Sequence, residues 1–288
     1  MNPKRSGREA FTYVDPVSKT EVLQLTNCMA ERSVHGYYDL PPWDRVTGRI
    51  VFSSLEPHAG EGDIYVMERD GSNIPYLAHS KAMSSNGGAT CQWAIDGSRV
   101  YFRDREGDQP LTSWVDMKTG RKESVPGGLR MICPTGHLNV YSVAGGYPDE
   151  ELISRRDELG VYVQDLKTGQ SHQVVSVEDC WRVHPRRDEI ADWHVRITHT
   201  KWSPDGSRIM LVFTNEISYD TKYDELPRVK DIYVVNADGT GLKLVGEFGH
   251  HPLWHPNGRQ ILANSPHPER TQLGLVLYDT ETGERRLA

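Results

Sequence analysis

The 288-residue chain has no apolar run approaching the ~20 residues that a membrane helix needs, so no membrane helix is expected. Its start, MNPKRSGREAFTYVD, is basic but carries no apolar segment of the kind found in secretory signals. A cytoplasmic location is therefore expected; a periplasmic one would follow if a leader had been removed. The four cysteines, Cys28, Cys91, Cys133 and Cys180, lie far apart with no CxxC pair, which predicts reduced structural thiols. The net charge of -7 is spread without a long run of either sign, so neither nucleic acid nor an anionic membrane is expected as a partner. The glycine pairs in VPGGLR and SSNGGAT lack the spacing of a phosphate loop, and Gly-x-Ser-x-Gly, His-Glu-x-x-His and EF-hand patterns are missing. Helical periodicity is almost absent.

What the chain does contain is a repeat. CQWAIDGSRVYFRD (91–104), TKWSPDGSRIMLVF (200–213) and PLWHPNGRQILANS (252–265) share a tryptophan, an Asp/Asn-Gly pair and alternating apolar residues. Asp-Gly and Asn-Gly tolerate positive φ, so between apolar runs they predict tight hairpin turns. PPWDRVTGRIVFSS (41–54) is a looser copy and RMICPTGHLNVYSV (130–143) a degenerate one. Each copy is followed by a second strand–turn–strand unit, as in DIYVVNADGTGLKLVG. The second turns recur at 46 (Asp70 to Asp116), 49 (Asp116 to Asp165) and 43 residues (Asn236 to Asp279). Four strands per ~40–50 residues predict an all-β fold, a β-propeller of four-stranded blades.

About five complete blades are counted, led by Trp43, Trp93, Cys133, Trp202 and Trp254. The interval from Asp165 to Asn236 is 71 residues, so some twenty extra residues around CWRVHPRRDEIADWHVRITH form either an added hairpin or a long loop. FTYVDPVSKTEVLQLT (11–26) reads as a closing strand pair, the third and fourth strands of a blade. Because the chain ends at GERRLA, with the fourth strand of a blade, the expectation is a single propeller domain over 1–288, either C-terminally incomplete (six or seven blades if completed) or closed in an unusual way.

The Trp-x-Pro-Asp-Gly turn with IYVVNADGT resembles the repeats of TolB-like propellers. The order TEVLQLTN…VHGYYDLPPWDRVTGRIVFSS resembles the opening of oligogalacturonate-lyase-type propellers, and HTKWSPDG and HHPLWHPNG resemble their histidine-led blade starts. That resemblance implies β-elimination on oligogalacturonides, assisted by a divalent metal ion, manganese or calcium, held by histidines. The family's later His-x-His cluster has no counterpart before Ala288.

His199 and His251 each stand three residues before a repeat tryptophan, so they are expected as neighbours beside the first strands of adjacent blades. Long second-to-third-strand loops at 55–62 (with His58), 144–160 and 214–229 are expected to wall a pocket on the same side. Elimination from a uronate needs its carboxylate neutralised, by a metal or a cationic side chain, and a base for the adjacent proton. The expected catalytic residues are His251, Arg228 and Lys230. His35, Tyr37, Arg196 and Lys201 are expected to bind substrate, and His199 and His250 to ligate metal. His199 and Tyr37 are alternative bases, and His194 is a weaker candidate. A histidine before a propeller strand can equally serve only its own blade through a hydrogen bond. His255 is expected on the turn surface, and the repeat tryptophans in the blade core. An oligosaccharide ligand is expected, with a protein partner as the alternative if the chain is a non-catalytic TolB-like binding propeller. A third alternative is an incomplete product unable to close its ring.

Overall fold

A computed structural model describes residues 9–27, 32–55, 60–143, 153–215, 229–266 and 273–288. The fold is the expected all-β propeller architecture: five four-stranded antiparallel sheets and one two-stranded sheet. Two compact units divide it, Met1–Leu129 and Arg130–Ala288.

The first unit opens with the hairpin β1 (Phe11–Val14) and β2 (Glu21–Gln24). Its first blade comprises β3 (Arg32–Val34), β4 (Ile50–Leu55), β5 (Gly62–Met67) and β6 (Tyr76–Ser80). The second comprises β7 (Gln92–Trp93), β8 (Arg99–Glu106), β9 (Gln109–Asp116) and β10 (Lys122–Pro126). Val51, Ile64, Val100, Phe102 and Val115 are among the fully buried apolar residues where the two blades meet.

The second unit holds three blades. They are β11 (Met131–Ile132) to β14 (Ser171–Ser176), with β12 (Leu138–Val143) and β13 (Gly160–Asp165); β15 (Arg196–Trp202) to β18 (Lys243–Gly246), with β16 (Arg208–Thr214) and β17 (Lys230–Asn236); and β19 (His250–Trp254) to β22 (Arg285–Leu287), with β20 (Gln260–Ser265) and β21 (Gly274–Asp279). Alternating apolar residues on each strand build this core, with Val140, Val161, Ile197, Ile209, Leu211, Phe213 and Tyr233 fully buried in one cluster.

The extra residues before β15 form neither a hairpin nor a plain loop. They begin with a short helix, α1 (Val177–Val183), started by a capping box between Ser176 and Asp179. The turns that follow α1 are pinned by Arg156. Its guanidinium donates to the carbonyls of Ala191 (2.8 Å) and Trp193 (2.9 Å) and lies 5.2 Å from the Trp181 ring centroid. His184, fully buried, bonds Asp231 of β17 through Nε2 at 2.9 Å, while its Nδ1 accepts the Arg186 N–H. Cys91, Cys133 and Cys180 are buried free thiols; Cys28 lies outside the described residues. Among the described residues no helix is long and apolar enough to cross a membrane.

The repeat tryptophans are not uniformly buried. Trp202 is 2% exposed, whereas Trp43 is 55% exposed, which corrects the expectation of a core role for every one of them. Trp43 forms an isolated bridge to Ile50.

Candidate functional site

The leading strands do not run straight into their tryptophans. In β15, Thr198 pairs with Val212 and Lys201 with Met210, so the chain passes from one pair to the next with a bulge at His199–Thr200. In β19, His250 pairs with Asn264 and Leu253 with Leu262, with the same bulge at His251–Pro252. The histidines therefore lie inside first strands rather than before them, each as the first residue of a bulge. Both have left-handed backbones, φ 53° at His199 and 49° at His251. That conformation costs a non-glycine residue about 1–2 kcal/mol and turns its side chain out of the ladder. Thr90, three residues before Trp93, repeats it with φ 57°.

The same register relates His35 to the pair. Val34 pairs with Ser53 and Trp43 bridges Ile50, so residues 35–42 occupy the place that three residues fill at 199–201. His35 is the first residue of this enlarged bulge and is exposed. Tyr37 lies within it, half-buried, its ring 4.6 Å from that of Tyr38.

In the second unit the bulge histidines come together. The rings of His199 and His251 are 6.0 Å apart at 63°, and His250 stacks on His251 at 3.9 Å and 22°. Gly249, which precedes them, donates its N–H to the Lys230 carbonyl at 2.7 Å. A Cβ there would stand 2.2 Å from Ile232 Cδ1, so only glycine lets this segment approach β17 so closely. Thr198 and His199 share a hydrogen bond between Oγ1 and Nδ1, 3.0 Å long.

Cations surround the pair. Burial foremost, and then the charges of Lys201, Arg130, His251 and Lys230, hold the His199 imidazole down to about 3, so it is neutral at physiological pH. Arg196 and Lys230 flank Thr214 in one cross-strand row, since Thr214 pairs with both. Lys201 departs from its expected role. It is 1% exposed, and its Nζ donates to the carbonyl of Pro252, while the Trp254 indole N–H donates back to the Lys201 carbonyl at 3.3 Å. It joins two leading strands and acts on the site through its charge.

Arg130 was not anticipated. It stands just before β11, whose Ile132 pairs with Asn139 as Trp202 pairs with Ile209, so it shares the register of Thr200 and Pro252. Of the remaining expectations, His255 is exposed in its turn, where Nδ1 accepts the Asn257 N–H at 3.2 Å, and His194 is half-buried at the end of the helical insertion. Arg228, His58 and most of the expected pocket loops (56–59, 144–152 and 216–228) lie outside the described residues.

The donor set does not fit a metal ion. Two nearly parallel stacked imidazoles do not aim their in-plane nitrogens at one point, and the charges that weigh most on His199 are those of basic side chains. Among the described residues no three His, Cys, Asp or Glu side chains are placed to hold one.

No protein-family model and no curated protein sequence matches the chain. Solved structures do resemble it. Oligogalacturonate lyase from Vibrio parahaemolyticus superposes with a TM-score of 0.67 at 15% identity, over 97% of this chain and 71% of that one. An oligogalacturonate lyase in complex with manganese gives 0.51 at 13% identity, over 96% and 83%. TolB from Acinetobacter baumannii gives 0.56 at 13% identity, over 96% of this chain and 59% of that one. At such identities the likeness establishes the fold, a propeller shared by oligogalacturonate lyases and TolB proteins.

Proposed function

We propose that the protein is a carbohydrate-active propeller that cleaves small uronate-containing oligosaccharides, such as oligogalacturonides, by β-elimination. The observation that carries this reading is the meeting of two bulge histidines, His199 and His251, within a field of lysine and arginine charge. The positive charge serves the substrate carboxylate. Neutralising it acidifies the adjacent C–H and stabilises the carbanion-like charge of the transition state. The proton passes to a base, the glycosidic C–O bond at the β carbon breaks, and its electron pair leaves with the departing sugar as a carbon–carbon double bond forms.

His251 is assigned the base and Lys230 the charge. A group that protonates only near 3 is a weak proton acceptor at neutral pH, so His199 fits a neutral hydrogen-bonding role better than that of the base. Arg196, in the same unit, is a further carboxylate contact. No step is routed through the manganese or calcium ion that the family resemblance implies, because the described donors do not fit one.

The test is the ultraviolet absorbance of unsaturated product from oligogalacturonate, with and without added manganese or calcium. Product that is lost in His251→Ala supports the reading. Tight oligosaccharide binding with no product under either condition overturns it in favour of a non-catalytic, TolB-like binding propeller.

A further inference from the structure

We propose that the helical insertion before β15 is a positioning strap for the start of β19, with His184 and Asp231 as the positioning residues through which it sets His250 and His251. The proposal rests on the reading above only in taking the bulge histidines to be the working part of the site.

Three observations carry it. The first is a continuous run of hydrogen bonds. His184 caps the C-terminus of α1 and is fully buried. Its Nδ1 accepts the Arg186 N–H at 3.1 Å, so Nε2 carries the ring hydrogen and donates it to Asp231 Oδ2 at 2.9 Å. Oδ1 of the same carboxylate accepts the Phe248 N–H at 2.8 Å. Gly249, His250 and His251 follow directly, Gly249 donating its N–H to the Lys230 carbonyl. One buried carboxylate thus joins the end of the helix to the entry of β19.

The second is the backbone that this carboxylate holds. Phe248 is left-handed, with φ 54°, a conformation that a bulky residue keeps only where its surroundings impose it. The bond from Asp231 fixes its N–H, and the turn there delivers His250 to its pairing with Asn264 and His251 to the bulge. Misplacing Phe248 therefore moves both imidazoles.

The third is the commitment of the aspartate. In the first blade Asp63 holds the same place in DIYVM, and it bonds His79 of its own blade at 2.8 Å. Asp231, in DIYVV, is instead taken by the insertion. The helix also lies against the same sheet. The His184 ring is 5.6 Å from that of Phe213, which pairs with Asp231, and the Tyr233 hydroxyl donates to the Cys180 carbonyl at 3.4 Å. Beyond the helix, Arg156 grips the carbonyls of Ala191 and Trp193. A linker that only joined β14 to β15 needs no buried carboxylate, whose desolvation apolar packing would avoid.

The test is NMR of the full chain with labelled histidine, together with unsaturated product from oligogalacturonate. In the parent the His184 ring is expected to carry its hydrogen on Nε2, and the Phe248 amide to exchange slowly with solvent. His184→Phe keeps the bulk of the ring but leaves Asp231 without its donor. It should shift the ring signals of His250 and His251, which stack at 3.9 Å, and lower product formation by up to about a hundredfold. His184→Gln, whose amide N–H reaches the place of Nε2, should restore both. Val163→Ala, a cavity in the core of the preceding blade, should lower the melting temperature and leave the histidine signals where they are. A ring hydrogen on Nδ1, a freely exchanging Phe248 amide, unmoved His250 and His251 signals in folded His184→Phe, or equal movement in Val163→Ala each overturns the proposal. Should His184→Phe not fold, His184→Gln decides: signals as in the parent support the strap, and displaced ones overturn it. The two readings fail separately. Signals that depend on His184, with no unsaturated product from the parent, sink the lyase and leave the strap. Product from the parent, with signals and rate indifferent to His184→Phe, does the reverse.

Discussion

Two neighbouring blade junctions in the second unit solve one packing problem in opposite ways. Where β19 meets β15, Trp254 is only half-buried and is fastened by polar contacts. Its indole N–H donates to the Lys201 carbonyl, the Arg208 guanidinium lies 5.3 Å from its ring centroid, and Arg208 also bonds Glu281 at 2.7 Å and the Gly258 carbonyl. Where β15 meets β11, Trp202 has no such fastening. Its indole N–H finds no acceptor among the described residues, and it packs with Cys133, Ile209, Leu211 and other apolar residues of one buried cluster. The cause is in the chain. Arg208 stands six residues after Trp202, but in the degenerate blade the residue six after Ile132, the counterpart of Trp202, is Leu138, so an apolar leucine takes the arginine's place. The first unit repeats the polar solution, with Trp93 donating to the Pro42 carbonyl at 3.0 Å beneath Arg49. A complete repeat copy thus presents an arginine and a carbonyl to the next tryptophan; an incomplete copy leaves hydrophobic burial to do the work.

The sharpest way to break this comparison is to truncate both rings. Trp202→Ala should cost about 3–5 kcal/mol, the range for a fully buried tryptophan. Trp254→Ala should cost about half as much, because its ring is already partly wet and the lost stack and hydrogen bond are worth about 1 kcal/mol each. Urea unfolding measures both. Equal costs would mean that the polar fastening matters as much as burial.

Acidification comes next. His199 titrates near 3 in the folded chain against 6.5 ordinarily, so between those values the unfolded chain binds more protons. The stability tied to this histidine is complete above about pH 6.5 and drains away as pH falls, by at most about 1.4 kcal/mol per pH unit and less for its partial exposure. Substituting His199→Asn, which tolerates the left-handed backbone, should flatten that slope. An unchanged slope would place the acid sensitivity elsewhere.

Lys201→Met sharpens the same point with a smaller effect. Removing this buried charge takes away one of the causes that depress His199, so the imidazole should titrate higher than in the parent by NMR. A lysine that served only to hold Pro252 would leave the titration where it was.

The architecture was legible because the repeat is written in residues whose backbone needs are narrow. Asp-Gly and Asn-Gly turns at 96–97, 205–206 and 257–258 marked the hairpins, and the described residues form five four-stranded blades with a leading strand pair. The insertion was counted correctly but its form was missed, although Ser176 and Asp179 carry the spacing of a helix cap. Histidine spacing located His199 and His251, whose rings do meet. Lys201 misled because a lysine close to a site histidine suggests contact, whereas its position, one before the tryptophan, is held by Pro42, Gln92, Met131 and Leu253 in the other blades.

The smallest expected effect concerns the bulges themselves. His199, His251 and Thr90 hold left-handed backbones in the same repeat position, yet a glycine there would be free of strain. Glycine gains about 1–2 kcal/mol by relieving that strain and loses about 1 kcal/mol through the greater freedom of the unfolded chain. His199→Gly, His251→Gly and Thr90→Gly should therefore leave stability unchanged or raise it by up to about 1 kcal/mol. If the histidines are retained for chemistry, the two histidine variants should keep that stability while losing galacturonate binding. Should they instead unfold the blade, their hydrogen bonds matter more to the fold than to any ligand, and the strain at 199 and 251 would be a cost of architecture rather than of function.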